Sequence, residues 1–143
     1  MEQQNPVAGT DEIQRVETAL NALSAKKAAN DAMRKASHDL PSSAAYSVVS
    51  RLDRDEARLA PIIVSLMAVD DRLGLFFRYR YIEGKSMKKV CQYFTIGRST
   101  GGRWKARLME EIAARPDLIR AIEEWAADKV SLAPAGRHKP TGA

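Results

Sequence analysis

A chain of 143 residues, 45% hydrophobic and 29% charged, lies in the ordinary globular range and is long enough for one domain with a real core. Its single cysteine, Cys91, excludes a disulfide framework or a cysteine-based metal site within one chain and points to a reducing, intracellular setting. The net charge of +5 is unevenly placed: residues 78–107 hold nine basic residues against one acid, Glu83, a local charge of +8, so the remainder is mildly acidic. Such a concentration is the electrostatic footprint of a surface that meets polyphosphate.

Residues 1–10 are polar, and no run approaches the ~18 apolar residues of a membrane helix, so the sequence predicts a soluble, cytoplasmic protein without membrane association. Glycine and proline are then absent from residues 10–40, where helix formers dominate, which predicts a long helix over residues 11–37. Thr10 is placed to cap it, and Asp11 and Glu12 suit its positive end. Ile13, Val16, Leu20 and Leu23 form an apolar stripe that Lys27 and Asn30 interrupt, a packing face rather than a coiled coil. Pro41 and the Ser42-Ser43 pair break the helix, and residues 41–50 read as a connector.

Helical character resumes near residue 50, with Pro61 acceptable only at a helix start or between two short helices. Asp70 is an N-cap for a helix through Leu73, Phe76, Phe77 and Ile82 that stops at Gly84. Ser86 caps the next, whose apolar positions are Val90, Cys91 and Phe94, and Gly97 or Ser99 opens another with Trp104, Leu108 and Ile112 as its inward stripe. Pro116 marks a new start, and Leu118, Ile122 and Trp125 define a C-terminal amphipathic helix ending near residue 130. The tail, 131–143, contains Pro and Gly without apolar periodicity and reads as disordered. No strand-like alternation interrupts this series, so the expected fold class is all-α.

Taking Trp104 as inward, ~100° per residue turns Ser99, Gly102 and Ala106 outward and sets Arg103 and Lys105 on the borders of that small, polar strip. Such a strip suits the major groove, with Arg103 reaching guanine edges while Lys105 and Arg107 bind phosphates. Lys85, Ser86, Lys88 and Lys89, at the start of the preceding helix, would lie along the DNA backbone. The competing reading of these lysines is a solvated helix face. Trp104 and Tyr93 are expected in the core, and Cys91 as a small inward residue.

The string Arg80-Tyr81-Ile82-Glu83-Gly84-Lys85-Ser86, the small residue Cys91, the flanking Phe94 and Ile96, and Arg98-Ser99-Thr100 at the next helix start together resemble the helix-turn-helix of sigma factor region 4 and of phage regulators that share it. The resemblance covers residues 77–112. It implies that residues 51–130 form a helix-turn-helix DNA-binding domain with a C-terminal helix, preceded by an N-terminal helical segment, 1–40. It also implies a phage-type regulator of late genes, an activator or a Q-type antitermination protein, that binds double-stranded DNA and contacts host RNA polymerase or its sigma subunit. The implied DNA-binding residues are Lys85, Ser86, Lys88, Lys89, Arg98, Ser99, Thr100, Gly102, Arg103, Lys105 and Arg107.

Two positions depart from the family pattern: Thr95 stands where glycine is common in the turn, and Gly101 where a β-branched core residue is usual. Glycines at 101 and 102 either permit a close approach of two elements, or of helix and DNA, or mean that the recognition helix begins only near Gly102.

A lone unit of this kind usually dimerises or leans on a partner, and the stripes at residues 13–23 and 118–125 are surfaces that could serve a homodimer or equally pack back onto the core, the commoner fate of an amphipathic helix. Two other classes remain: a small terminase-like packaging protein, which would form a large ring, and an inhibitor that binds sigma or RNA polymerase without touching DNA. No enzyme signature is present. Asp53 and Asp55 would need another carboxylate to hold a metal, and His38 and His138 fall in connector and tail, so the sequence implies neither metal nor cofactor.

Overall fold

A computed structural model of the protein describes residues 9–130, so the tail at 131–143 lies outside the described residues. Every regular element among them is helical: α1 (Thr10–Ala36), α2 (Ser42–Glu56), α3 (Ala60–Met67), α4 (Asp71–Phe77), α5 (Met87–Phe94), α6 (Arg98–Ala113) and α7 (Pro116–Ala127). The chain is all-α, as its periodicity requires. No described helix is long and apolar enough to cross a membrane.

The long helix α1 is the spine. Gly9, not Thr10, occupies its N-cap position, where the Glu12 carboxylate reaches back to accept from the Gly9 N–H at 2.8 Å. Val16, Leu20 and Leu23 are fully buried, in one cluster with Leu66 of α3, Phe76 of α4, Leu108 and Ile112 of α6, and Ile122 and Trp125 of α7. α1 therefore shares a single core with the elements that follow. Of the two uses open to the stripes on α1 and α7, the structure shows packing onto the core: they lie against each other inside the protein. Burial of apolar area at ~25 cal/mol per Å² makes this internal pairing the favoured use of both faces.

Asn30 does not interrupt the buried face of α1 but continues it in polar form. It is 1% exposed and donates to Glu56 Oε2 at 3.0 Å. One turn before it, Lys26 pairs with Asp55 at 3.0 Å, donates to the Trp125 carbonyl at 2.7 Å and lies 3.9 Å from the centre of the Trp125 ring. One turn after it, Arg34 bridges Asp53 and Glu56, both at 2.7 Å. Asp53 and Asp55 are thus engaged by cations, and among the described residues no group of His, Cys, Asp or Glu is arranged to hold a metal.

Residues 42–50 are helix, not connector. Pro41 sits at the N-cap of α2 with φ −55° and ψ 151°, where a missing N–H and a fixed φ favour a helix start over a break. The reversal is confined to one 3-10 turn, Ser37–Asp39, and Leu40. Pro61 falls in the first turn of α3, as its chemistry demands. Asp70 caps α4 through the Arg72 N–H, and the chain then makes a turn of π-helix, Arg78–Ile82, that ends where Gly84 adopts φ +71°. Within that turn Tyr81 is buried against the rings of Phe76 and Phe77.

The next two helices are joined by residues 95–97. Ser86 caps α5 by accepting from the Lys89 N–H at 3.2 Å. Thr95 ends α5 at φ 57°, ψ 49°, a left-handed conformation that costs an L-residue about 1 kcal/mol and explains why glycine would be the easier occupant. Gly97 then opens α6, so the helix begins at Arg98 and both Gly101 and Gly102 lie within it. A Cβ on Gly101 would lie 2.6 Å from Cys91 Sγ and 3.3 Å from Met87 Cε, whereas one on Gly102 would meet nothing within 4 Å. Gly101 is a point where α6 packs against α5 with no room for a side chain.

Adjacent glycines therefore respond oppositely to the same change. Gly102→Ala should raise stability in urea denaturation by about 0.5 to 1 kcal/mol through helix propensity. Gly101→Ala should lower it by about 1 to 2 kcal/mol through overpacking, and by less when Cys91→Ala is already present. Equal effects at the two positions would contradict the close approach.

Candidate nucleic-acid interface

With each residue turning about 100°, α6 divides into four faces. Gly101, Leu108 and Ile112 point inward and are buried. Ser99, Arg103 and Ala106, at intervals of four and three, form an exposed crest. Arg98, Gly102 and Lys105, at the same intervals, form the flank toward α5, and Thr100, Trp104 and Arg107 form the flank toward α4. The inward direction is therefore rotated by about 60° from Trp104. This shifts three sequence assignments: Arg103 moves from the border of the exposed strip to its middle, while Gly102 and Lys105 move from the strip and its border to the α5 flank.

The aromatic residues move correspondingly. Trp104 is half-buried at the edge of the core, edge-on to Phe94 at 5.1 Å, with the Arg72 guanidinium 5.3 Å from its centre. Tyr93 is not a core residue: it is 60% exposed, with its ring 4.3 Å from that of Tyr79. Its position follows from the geometry of α5, where Val90 and Phe94 take the inward side and leave Lys88, Lys89, Gln92 and Tyr93 on the outside. Cys91 is half-buried and turned toward α6, as its small size allows, with Sγ donating weakly to the Gly97 carbonyl at 3.7 Å.

Charge is distributed unevenly between paired and unpaired cations. Among the described residues, Lys85, Lys88, Lys89, Arg98, Arg103 and Lys105 make no salt bridge, although Arg15, Lys26, Lys27, Arg34, Arg58, Arg72 and Arg115 elsewhere all do. Arg103 Nη2 donates to Thr100 Oγ1 at 3.0 Å, which steadies its side chain without neutralising it. Ser86 and Thr100 thus accept local hydrogen bonds, and Ser99 is exposed on the crest.

Arg107 is the exception among the expected phosphate ligands. It pairs with Asp70 at 2.8 Å, so its charge is already matched within the fold. Sequence showed Asp70 as a helix cap, but nothing in it linked residues 70 and 107. The Asp70 carboxyl is held down to about 2 by hydrogen bonds from the Arg72 side chain and backbone N–H, reinforced by Arg107. The Tyr81 phenol is moved the other way, upward, by burial.

The chain was compared with protein-family models, curated proteins and solved structures, and none matches it.

Asp70→Asn preserves the cap acceptor but removes the charge. The folded-state value lies below that of an ordinary carboxylate, so the charge contributes in full above about pH 4 and its contribution is lost as the pH falls toward 2. Urea denaturation of both proteins across this range should show a deficit of about 1 kcal/mol for the variant at neutral pH that shrinks on acidification. A deficit independent of pH would mean that the ion pairs contribute nothing.

Proposed function

We propose that this protein binds double-stranded DNA with α5 and α6 acting as a helix-turn-helix, and that it regulates transcription in the host cytoplasm. In this reading α6 is the recognition helix. Its crest, Ser99, Arg103 and Ala106, enters the major groove, where small side chains permit close approach and Arg103 can grip a guanine edge bidentately. Lys85, Lys88 and Lys89 lie along the phosphates, joined by the free N–H groups at the start of α5. Arg107 has a supporting place, fixing α6 to the head of α4 through Asp70.

The observation that carries this reading is the clustering of six cations without a salt bridge along one helix pair, in a stretch, residues 78–107, whose one acid is Glu83. Among the described residues Lys35, Arg54, Arg120 and Lys129 also make no salt bridge, but they are scattered over other elements, and it is the clustering along α5 and α6 that solvation alone does not explain. Combined with the resemblance to sigma region 4, the proposed role is that of a phage-type late-gene regulator, acting through a promoter-proximal DNA element and host RNA polymerase or its sigma subunit. Because α1 and α7 bury each other's apolar stripes, a homodimer would need a different surface.

A preferred sequence can be selected from random duplexes, and the protein's affinity for it compared with that for unselected DNA. Arg103→Ala should lose about 1 to 3 kcal/mol on the selected site, with relaxed discrimination at one base pair and little loss on random DNA. Equal losses on both would show that Arg103 touches only phosphate. A protein from which no sequence can be selected would remove the regulator reading.

A further inference from the structure

Between α5 and α6 runs an open groove of about 1020 Å³, bordered by Met87, Cys91 and Ile96 on its apolar side and by Lys88, Arg98 and Lys105 as cations. Gly102 lines it too, and a side chain there would extend into open space rather than into protein. The two glycines thus differ in kind. Gly101 is bare because α5 lies against it; Gly102 has no neighbour within the fold that requires it to be bare. Keeping glycine at an exposed mid-helix site forgoes the stability that alanine would give, which directs attention to something outside the fold.

We infer that this groove seats one strand of duplex DNA along its sugar–phosphate backbone. The inference rests on the DNA-binding reading above and adds to it a distinct seat. Lys88 from one wall and Arg98 and Lys105 from the other are the phosphate ligands, and none has a carboxylate partner among the described residues. Apolar atoms of Met87, Cys91 and Ile96 meet the deoxyribose faces between phosphates. Gly102 leaves room for the strand to approach the helix backbone. This divides α6 by function: the crest at 99, 103 and 106 reads bases, and the flank at 98, 102 and 105 holds a strand.

Charge complementarity selects the occupant, since three unmatched cations on an apolar groove suit a chain that alternates anionic phosphate with apolar sugar. An acidic protein segment is the competing occupant.

The protein's only cysteine lines this groove, which makes it a built-in reporter. The rate of Cys91 alkylation by iodoacetamide should be measured in the full chain, free and saturated with the selected duplex. Saturation should slow the reaction about tenfold or more if a strand covers the thiol. A second measurement uses Gly102→Leu, which projects a side chain into the groove. It should leave the fold as stable as before or more so, yet weaken binding to selected and random duplexes alike by about tenfold, unlike Arg103→Ala.

DNA that binds without protecting Cys91, or Gly102→Leu that binds at full strength, would overturn the seat while leaving DNA binding intact. In that case an acidic peptide that protects Cys91 would name the occupant. Failure of any duplex to bind would instead overturn the underlying reading.

Discussion

The contact between Gly101 and Cys91 sets the arrangement on which the rest depends. With no Cβ at 101, α6 lies directly against α5, and that approach fixes the rotation of α6 about its axis. The opposite edge of the same inward face, Leu108 and Ile112, is fully buried in the core with Val16, Leu20 and Leu23 of α1. Held at both ends, α6 cannot turn without either creating an overlap at residue 101 or exposing large apolar side chains, each worth about 1.5 to 3 kcal/mol when buried. The direction in which Arg103 points is therefore a property of the core, not of the surface. The left-handed Thr95 adds to the same constraint, because its strain persists only where surrounding packing determines it.

Electrostatics follows a different logic on the two sides of the molecule. Around Asn30, cations and carboxylates of α1 and α2 are brought together, and Lys26 and Asp55 are each only 9% exposed. A buried pair of this kind gains little net stability over an apolar one but is costly to break, so it favours one docking of α1, α2 and α7 over alternatives. Along α5 and α6 the opposite holds, and positive charge is left unmatched at the surface. Mutual repulsion there is a cost to the folded protein that a polyanionic partner would remove. Asp70 marks the border between the two regimes: it engages Arg72 and Arg107 and so ties α6 to the head of α4.

Much of this was legible in the sequence because it is locally encoded. Asp70, Ser86 and Gly84 punctuate helices through chemistry that acts within a few residues, and the structure places each boundary where that chemistry predicts. Where the reading departed, the deciding interaction was often distant. Asn30 looks like an interruption until Glu56 arrives from another helix, whereas Pro41 misleads on local grounds, since the same chemistry that breaks a helix also starts one. The site was partly legible for the same reason. Its lysines and arginines could be gathered from composition, but the true inward direction of α6 is set by α5 and the core. Trp104, the most hydrophobic-looking guide, lies at the edge of that face. The pairing of Arg107 with Asp70 left no trace in local pattern at all.

The central claim is that the unpaired cations along α5 and α6 are there to meet DNA, Arg103 at the bases and the others at the phosphates. It is tested most directly by titrating duplex DNA against the full chain over a series of salt concentrations. If Lys85, Lys88, Lys89, Arg98 and Lys105, the five assigned to phosphates, displace counterions, log K should fall linearly with log[salt] with a slope of about −4.5. Binding with a slope near zero, or no binding at the lowest salt, would contradict the account.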